Sequence, residues 1–519
     1  MPSPAHAAPP KLGSPEAFTA LGGWLDTVGF TEQAVCERLG LKGKLDVQAL
    51  RGIGPVDSTP WNALELVARM FVAGDAFDGA IVEKLIPAEV GEALRDLGLL
   101  APWVSHPEKL SACAAFYPVG GVLIASDRWN HPDRAPFRSF GDIVYPAISP
   151  NTRRFLELLP DEPCERFLDL CSGTGVAALI AARRYARHAW AADLTERCNA
   201  FTEFNRRLNG LENVTVVRGD LYEPVRGIQF DRIVAHPPYM PTLESAEIYY
   251  DGGPDGEHVT SRIVAQAPES LATGGRVYCL TMGSDREGEM FEQRIRRWLG
   301  AASQRCNVAL VARRFVNPSQ FALSSALQAH GGTPQADQWK TLFEQQRIRS
   351  LVYGLIVLEK EAADSQRASF TARRAIGEQS TLRETEWLLH WEAAAKDAAM
   401  LARLLESRPR ASERFELRVT HRIVEGDLIP DAFQLAIEYP FSLECAVPPW
   451  TGYLLAACDG ARGGRELLEH CKQQRFVHPE TPAEEFARFL AMLVSGGFLE
   501  SELCPLPVRS AVPATSAAG

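Results

Sequence analysis

The middle of the chain alternates short apolar runs with longer segments of helical periodicity. The apolar runs predict strands at 167–170, 188–192, 214–218, 230–235, 276–282, 308–312 and 351–358. Apolar residues recur at helical spacing between the first three of these runs, in 176–186 and 198–208. Because strands that alternate with helices form parallel sheets, this pattern predicts an α/β domain with a mainly parallel sheet. We place its bounds at 146–362.

Residues 14–145 precede this sheet and predict a small domain of helices followed by strands. The segments 61–73 and 81–100 repeat apolar residues at helical spacing. The pair Gly120-Gly121 separates two apolar runs, and glycine accepts the positive φ angles of a tight hairpin turn. Helices followed by a hairpin are typical of winged-helix domains, which bind DNA in some proteins and pack against a partner domain in others. The few basic residues in these helices favour the second role.

A change of composition near residue 363 predicts a separate C-terminal domain. The stretch 383–408 is charged and helical, and alternating runs at 413–423 and 433–444 are typical of strands. Helical segments follow over 451–471 and 483–501. We therefore expect an α+β accessory domain over 363–504. The Pro- and Ala-rich ends, 1–13 and 505–519, predict disordered tails.

Composition narrows the class of protein. Of 519 residues, 46% are apolar and 23% charged, as in an ordinary globular protein. Asp and Glu exceed Lys and Arg by 65 to 54, so the net charge of −11 gives no general attraction to nucleic acid or anionic membranes. No apolar run is long enough for a membrane helix, and the N-terminus does not resemble a signal peptide. Eleven Cys occur without a CxxC pair, so we expect no metal site and no disulfide framework in a reduced, cytoplasmic protein.

The segment FLDLCSGTGVAAL carries the most informative chemistry. A buried strand is predicted to end at Leu170, and 171–175 turn into a helix. Gly173 and Gly175 let the backbone come close to a ligand and present N–H groups to it. The GxGxxG loop of dinucleotide-binding proteins shares these two glycines and has a third glycine at the position of Ala178. The looser form of that pattern permits Ala there. The loop alone leaves both ligand classes open.

Polar residues stand at the ends of the next three predicted strands. Asp193 lies 18 positions after Gly175 and can accept hydrogen bonds from both hydroxyls of a ribose. Asp220 ends the third strand, where it can accept from an adenine amino group. The fourth strand ends in His236-Pro237-Pro238-Tyr239. Because the carboxyl ends of parallel strands line one crevice, these residues predict one adenosine-binding site with chemistry beside it.

The combination resembles the class I S-adenosylmethionine-dependent methyltransferases, and most closely the HemK-like or "methyltransferase small domain" enzymes. DLCSGTG matches their glycine loop, Asp193 and Asp220 their two acids, and HPPY their (Asn/Asp/Ser)-Pro-Pro-(Tyr/Phe) motif. The stretch YYDGGPDG is similar to a segment of the same group. The resemblance is specific over about 150–300 and looser in the flanking regions.

This resemblance implies a Rossmann-like, seven-stranded methyltransferase sheet between an N-terminal helical, winged-helix-like domain and a C-terminal α+β domain. It implies S-adenosylmethionine as the cofactor. The residues implied to bind it are Thr152, Asp169, Cys171, Gly173, Gly175, Asp193, Leu194, Asp220, Leu221 and His236. The residues implied to act on the acceptor are His236, Pro237, Pro238 and Tyr239.

His236 departs from the family, which usually has Asn at this position. That Asn and the next backbone carbonyl accept hydrogen bonds from the planar –NH2 of the acceptor and orient its nitrogen. A neutral His236 could accept a hydrogen bond through one ring nitrogen, act as a general base, or have only a structural role. Pro237 and Pro238 stiffen the loop, and Tyr239 can stack on a planar acceptor.

Other residues near the motifs carry two interpretations each. The segment Ser149-Pro150-Asn151-Thr152 resembles one that closes over the methionine end of the cofactor, but Ser149 or Thr152 could equally be a helix cap. The run Tyr249-Tyr250-Asp251 either borders the substrate entrance or only packs a loop.

The resemblance therefore implies methyl transfer to nitrogen, with a glutamine-type protein acceptor or a peptide or small molecule favoured. A base of rRNA or DNA is the alternative acceptor, disfavoured by the acidic net charge. A rival of another class is a non-catalytic, cofactor-sensing binding module. A dehydrogenase is less favoured, because HPPY has no role in hydride transfer. The oligomeric state is open.

Overall fold

The computed structural model describes residues 8–54, 59–134, 141–243, 248–328, 332–362, 368–377 and 380–507. The chain divides into two compact units, Met1–Gly300 with Asn317–Leu351, and Ala301–Val316 with Val352–Gly519. Most of both predicted tails, 1–7 and 508–519, lies outside the described residues. The segment 8–13 packs on the rest of the first unit, where Lys11 N donates a hydrogen bond to Leu97 O at 2.9 Å.

The first unit begins with short helices and a small sheet. Ser14 caps the first helix by accepting a hydrogen bond from Ala17 N at 3.2 Å. The helices are α1 Pro15–Thr27, α2 Glu32–Leu39, α3 Val47–Arg51, α4 Ala63–Val67, α5 Gly79–Leu85 and α6 Ala88–Asp96. Strands β1 Ala76–Asp78, β2 Leu100–Trp103 and β3 His106–Ala112 form an antiparallel sheet in the order β1-β3-β2.

The predicted hairpin at Gly120-Gly121 is confirmed. Strands β4 Ala115–Val119 and β5 Val122–Ser126 pair antiparallel. Both glycines have positive φ, +59° and +88°, a conformation that residues with a Cβ rarely adopt.

Five parallel strands follow, alternating with helices as the apolar pattern predicts. The strands are β6 Cys164–Leu170, β7 Ala186–Asp193, β8 Val214–Arg218, β9 Phe230–Ala235 and β10 Leu271–Arg286. The helices are α7 Pro150–Glu157, α8 Val176–Arg184, α9 Glu196–Leu208, α10 His258–Ser270 and α11 Phe291–Trp298. Helix α8 is two residues shorter than predicted, because Ala186 already belongs to β7.

The order of these strands is β10-β9-β6-β7-β8, and every neighbouring pair is parallel. The chain runs outward from β6 through β7 to β8 and then returns to β9 on the other side of β6. The order therefore reverses between β6 and β9. In open α/β sheets the crevice at the carboxyl ends of the strands, at this reversal, is where ligands bind.

The remaining elements extend the first unit and build the second. The first unit also holds α12 Pro318–Gln328, α13 Gly332–Gln345 and the start of β12 Ile348–Lys360. In the second unit β12 neighbours β11 Cys306–Val316, which pairs parallel with β13 Thr371–Ala375. All seven predicted apolar runs are thus strands.

The rest of the second unit mixes helices and strands, as predicted for its sequence. Its helices are α14 Leu382–Ala394, α15 Ala398–Glu406, α16 Pro449–Ala457, α17 Gly464–Gln473 and α18 Ala483–Ser495. Its strands are β14 Arg410–Ala411, β15 Phe415–Val424, β16 Asp427–Ile437, β17 Leu443–Ala446 and β18 Leu499–Glu500. Among the described residues, no helix has both the length and the apolarity needed to cross a bilayer.

Candidate active site

The loop after β6 has the backbone conformation of a ligand-binding turn. Cys171, Gly173 and Gly175 have φ of +55°, +56° and +75°. A Cβ on Gly175 would lie 2.5 Å from Thr202 Cγ2, so this position has no room for a side chain. A Cβ on Gly173 would meet nothing within 4 Å, so open space lies beside its backbone. The loop leaves room for a ligand at Gly173 and packs tightly at Gly175.

Helix α9 holds this loop in place, a role that the sequence did not reveal. Thr202 Oγ1 donates to Gly173 O at 3.0 Å, and Asn205 Nδ2 donates to Thr174 O at 3.0 Å. Asn205 also exchanges two hydrogen bonds with the backbone of Ala125 in β5. Thr202 and Asn205 are fully buried polar residues, and their helical spacing was the one signal available.

Asp193, at the end of β7, reaches the glycine loop directly. Its Oδ2 accepts from Gly173 N at 2.9 Å, and its Oδ1 accepts from Thr195 N at 3.0 Å. Oδ1 also accepts from Thr195 Oγ1 at 3.3 Å, so of the roughly four lone-pair sites of the carboxylate one remains, on Oδ2, for a ribose hydroxyl. The next residue, Leu194, is 54% exposed and offers an apolar surface beside the carboxylate.

The loop also contains a buried polar atom that lacks a partner. Ser172 is 8% exposed, and its Oγ has no hydrogen bond among the described residues. Buried hydroxyls in folded proteins are normally hydrogen-bonded. Together with the space beside Gly173 and the capacity of Asp193, this orphan hydroxyl fits a polar ligand such as S-adenosylmethionine.

Asp169, in β6 just before the loop, is 3% exposed and accepts from Ala178 N at 3.2 Å. Burial raises its pKa to about 8, with the nearby Asp193 carboxylate adding to the rise. A cationic group beside Asp169 would favour its ionised form. Burial also raises the pKa of the Cys171 thiol well above its usual value, so this side chain is neutral.

Asp220 and Leu221 follow β8. Leu221 has φ +52° and is buried, so its backbone holds an uncommon conformation at this strand end. Asp220 Oδ2 accepts a hydrogen bond from Arg262 Nη2, on α10, at 2.5 Å, and both side chains are partly exposed. One oxygen of Asp220 is therefore already paired with a cation, a contact that no sequence motif predicts.

His236 begins the loop after β9 and lies between two aromatic rings. Its ring centroid is 5.2 Å from that of Phe155, with an interplanar angle of 24°, and 5.6 Å from that of Tyr239. The residue is partly exposed, but its Nε2 is buried without a hydrogen bond among the described residues. Burial lowers the pKa of His236 to about 4, so the imidazole is neutral at neutral pH.

The other residues of this motif are more enclosed. Pro237 is buried and Pro238 is partly exposed. Tyr239 is 8% exposed, and its hydroxyl accepts from Asn151 Nδ2 at 3.0 Å. The structure thus brings the start of α7 to the HPPY loop, which neither motif predicts by itself.

Of the two interpretations of Ser149–Thr152, the structure shows the cap at Ser149. Ser149 Oγ accepts from Thr152 N at 3.3 Å and donates to Thr152 Oγ1 at 2.9 Å. Thr152 lies in the first turn of α7 and is partly exposed.

The DGGPDG segment packs against the backbone of the HPPY loop. Cβ atoms on Gly252 and Gly256 would approach Tyr239 backbone atoms to 2.8 and 2.4 Å, so only glycine fits at these two positions. Gly252 N donates to Met240 O at 2.9 Å, and Met240 N donates to Tyr250 O at 3.2 Å. These contacts fix the position of the HPPY loop.

A buried ion pair anchors the end of that segment. Glu257 and Arg294, 3% and 1% exposed, are joined by Arg294 Nε to Oε2 at 3.0 Å and Arg294 Nη2 to Oε1 at 2.5 Å. Ser284 N and Oγ also donate to Glu257 Oε1, each at 2.8 Å. Glu257 thereby connects the loop to β10 and α11.

The run Tyr249-Tyr250-Asp251 makes a packing contact within the first unit. Tyr249 stacks on Tyr145, with ring centroids 5.3 Å apart. Among the described residues, no group of three or more His, Cys, Asp or Glu could hold a metal ion.

Comparison with known proteins gives one family. The model of the methyltransferase small domain matches residues 145–304. A ribosomal protein uL3 glutamine methyltransferase of Bradyrhizobium diazoefficiens is 32% identical over 161 residues, covering 28% of this chain and 50% of that relative. A putative protein N5-glutamine methyltransferase of Methanocaldococcus jannaschii is 31% identical over 140 residues, 26% of this chain and 70% of that relative.

A longer match has lower identity. A ribosomal protein uL3 glutamine methyltransferase of Bordetella pertussis is 26% identical over 260 residues, 47% of this chain and 82% of that relative. The chain spans about half of the length of the Bradyrhizobium relative.

Proposed function

The chain belongs to the methyltransferase small domain family of class I S-adenosylmethionine-dependent methyltransferases, and on that premise we propose that it methylates a glutamine side-chain amide in a protein. One observation carries the proposal: the glycine loop after β6 and the HPPY loop after β9 lie at neighbouring strand ends, where the strand order reverses. A cofactor pocket and an acceptor loop at adjacent strand ends can align a methyl group with an acceptor nitrogen.

The cofactor side of the proposed site uses the residues of three strand ends. Asp193 Oδ2 would bind a ribose hydroxyl, Leu194 would pack against the adenine ring, and Asp220 would accept from the adenine amino group through the oxygen that Arg262 leaves available. The backbone at Gly173 and the hydroxyl of Ser172 contact the remaining polar groups. When bound, S-adenosylmethionine supplies an electrophilic methyl group on a sulfonium.

The acceptor side is formed by the HPPY loop. Methyl transfer would form an N–CH3 bond as the S–CH3 bond breaks, with S-adenosylhomocysteine as the leaving group, and the acceptor nitrogen would release one proton to solvent. Because the His236 imidazole is neutral with a pKa of about 4, it is a weak base, and we assign it to positioning the HPPY loop through its ring contacts with Phe155 and Tyr239. Pro237 and Pro238 limit the motion of the loop, so the acceptor is held in a single orientation.

Two observations favour a protein acceptor. Three relatives are named as glutamine methyltransferases of ribosomal protein uL3 or of an unspecified protein. The net charge of −11 disfavours a long nucleic acid. A base of rRNA or DNA is the second candidate, since exocyclic base nitrogens are planar –NH2 groups like the glutamine amide.

The test is transfer of label from methyl-labelled S-adenosylmethionine to three purified acceptors: ribosomal protein uL3, a release factor and rRNA. We expect label in a glutamine of one of the proteins. Label in rRNA that falls steeply between low and moderate salt would instead support the nucleobase candidate, because phosphate contacts release counterions. Cofactor binding without transfer to any acceptor would support the cofactor-sensing rival.

Asp193 provides a prediction about the cofactor pocket. We expect Asp193→Ala to weaken binding of S-adenosylhomocysteine by about 1.5–3 kcal/mol, roughly 10- to 100-fold in Kd, because hydrogen bonds to a charged group are lost. Isothermal titration calorimetry measures the effect. Asp161→Ala, an exposed Asp of the same unit, is the matched control and should leave Kd unchanged. An unchanged Kd in folded Asp193→Ala protein would remove Asp193 from the pocket.

A further inference from the structure

The HPPY loop carries an imidazole at position 236, where the family that the sequence resembles usually has a side-chain amide. The imidazole Nε2 of His236 is buried and forms no hydrogen bond to the described residues. Its ring stacks on that of Phe155, and its centroid lies 5.6 Å from that of Tyr239. A planar –NH2 group has two N–H donors, and the backbone carbonyl after position 236 can accept from one of them, so a second hydrogen-bond acceptor beside this loop would complete its orientation.

Asn151 is placed to provide it. Its Nδ2 donates to Tyr239 Oη at 3.0 Å, which fixes the carboxamide plane against the HPPY loop. Asn151 itself is exposed, and its Oδ1 receives no hydrogen bond from any described residue. A carbonyl oxygen held in a fixed orientation and open to solvent, next to Tyr239, is the group that the loop lacks.

Helix α7 does not need Asn151 for its own stability. Ser149 caps its first turn, Arg153 pairs with Glu32, and Phe155 stacks on His236 one turn after Asn151. The hydrogen bond from Asn151 to Tyr239 is therefore additional to a helix that is already anchored. Its effect is to orient the amide.

We propose that Asn151 Oδ1 accepts a hydrogen bond from the acceptor –NH2 and thereby takes the role of the amide missing from position 236. This proposal rests on the proposed function. Asn151 acts as a specificity residue for planar amides and amines, because its oxygen binds an N–H and would face a carboxylate oxygen with repulsion.

The experiment measures kcat and KM for the labelled protein acceptor, and Kd for S-adenosylhomocysteine, in the full-length chain. The variants are Asn151→Ala, His236→Asn and the double variant. Glu157→Ala, an exposed residue of the same helix that pairs with Lys44, is the matched control and should behave as wild type.

We expect Asn151→Ala to lower kcat/KM for the acceptor by about tenfold or more while Kd for the cofactor product stays within twofold. In the double variant, His236→Asn restores an amide at the family position, so the activity lost in Asn151→Ala should largely return. A structural role for Asn151 predicts no such recovery.

Three results would overturn the inference while leaving the proposed function intact: unchanged kcat/KM in Asn151→Ala, an equal loss of cofactor affinity, or no recovery in the double variant. Wild-type protein that labels neither uL3 nor the release factor would instead refute the proposed function, and the inference would fall with it.

Discussion

Glu257→Gln is expected to lower the free energy of unfolding by about 3–5 kcal/mol, because it leaves the buried Arg294 guanidinium without its counter-charge. The structure places this pair almost wholly out of solvent, where an unpaired charge is expensive. Glu257 also ends the segment whose glycines pack against Tyr239, so the same change should disturb the acceptor loop. Urea unfolding followed by circular dichroism measures the stability.

Glu287→Gln is the control for that prediction. Glu287 follows the end of the same strand, β10, and pairs with Arg349 at 3.1 Å, but both side chains are more than half exposed. Exposed pairs of this kind contribute about 0–1 kcal/mol. A Glu257→Gln protein as stable as Glu287→Gln would show that the buried pair does not anchor the loop.

His236→Ala is expected to lower kcat by about 100-fold or more, while the Kd for S-adenosylhomocysteine remains nearly unchanged. The ring contacts both Phe155 and Tyr239, so its removal leaves the acceptor loop free to shift. The predicted ribose and adenine contacts lie at other strand ends and should persist. Steady-state kinetics measures the change in kcat, and isothermal titration calorimetry measures the Kd. Full activity of the variant would contradict a role of His236 on the acceptor side.

His236→Asn distinguishes a positioning role of His236 from base catalysis. If the residue takes no proton, Asn returns the family's usual group and should retain much of the activity, whereas a loss as large as that of Ala would indicate a base. Since burial lowers the pKa of His236 to about 4, the neutral form predominates above that pH. Wild-type activity that depends on neutral His236 should therefore fall only as the pH drops towards 4, and a midpoint near 6.5 would contradict this assignment.

The sequence by itself determined the strands and the chemistry at their ends. Strand and helix periods differ, so the positions of β6 to β9 follow from local apolar spacing, and two strands, 214–218 and 230–235, match their predicted bounds. Parallel topology then brings the four strand ends to one edge of the sheet, which is why the sequence predicts that Gly173, Asp193 and His236 share this edge. The resemblance to methyltransferases added the cofactor.

The sequence did not determine which side chains support that site. Asn205 contacts the glycine loop from 31 residues away, Asn151 reaches Tyr239 across 88 residues, and Arg262 reaches Asp220 across 42. Which residues meet over such distances depends on how the helices pack on the sheet. The local spacing of apolar residues does not predict that packing. The buried pair of Glu257 and Arg294 also depends on tertiary packing. In the sequence, each of these residues resembles an ordinary charged residue of the surface. Local periodicity thus determined where the chemistry lies, and tertiary packing decided what holds and orients it.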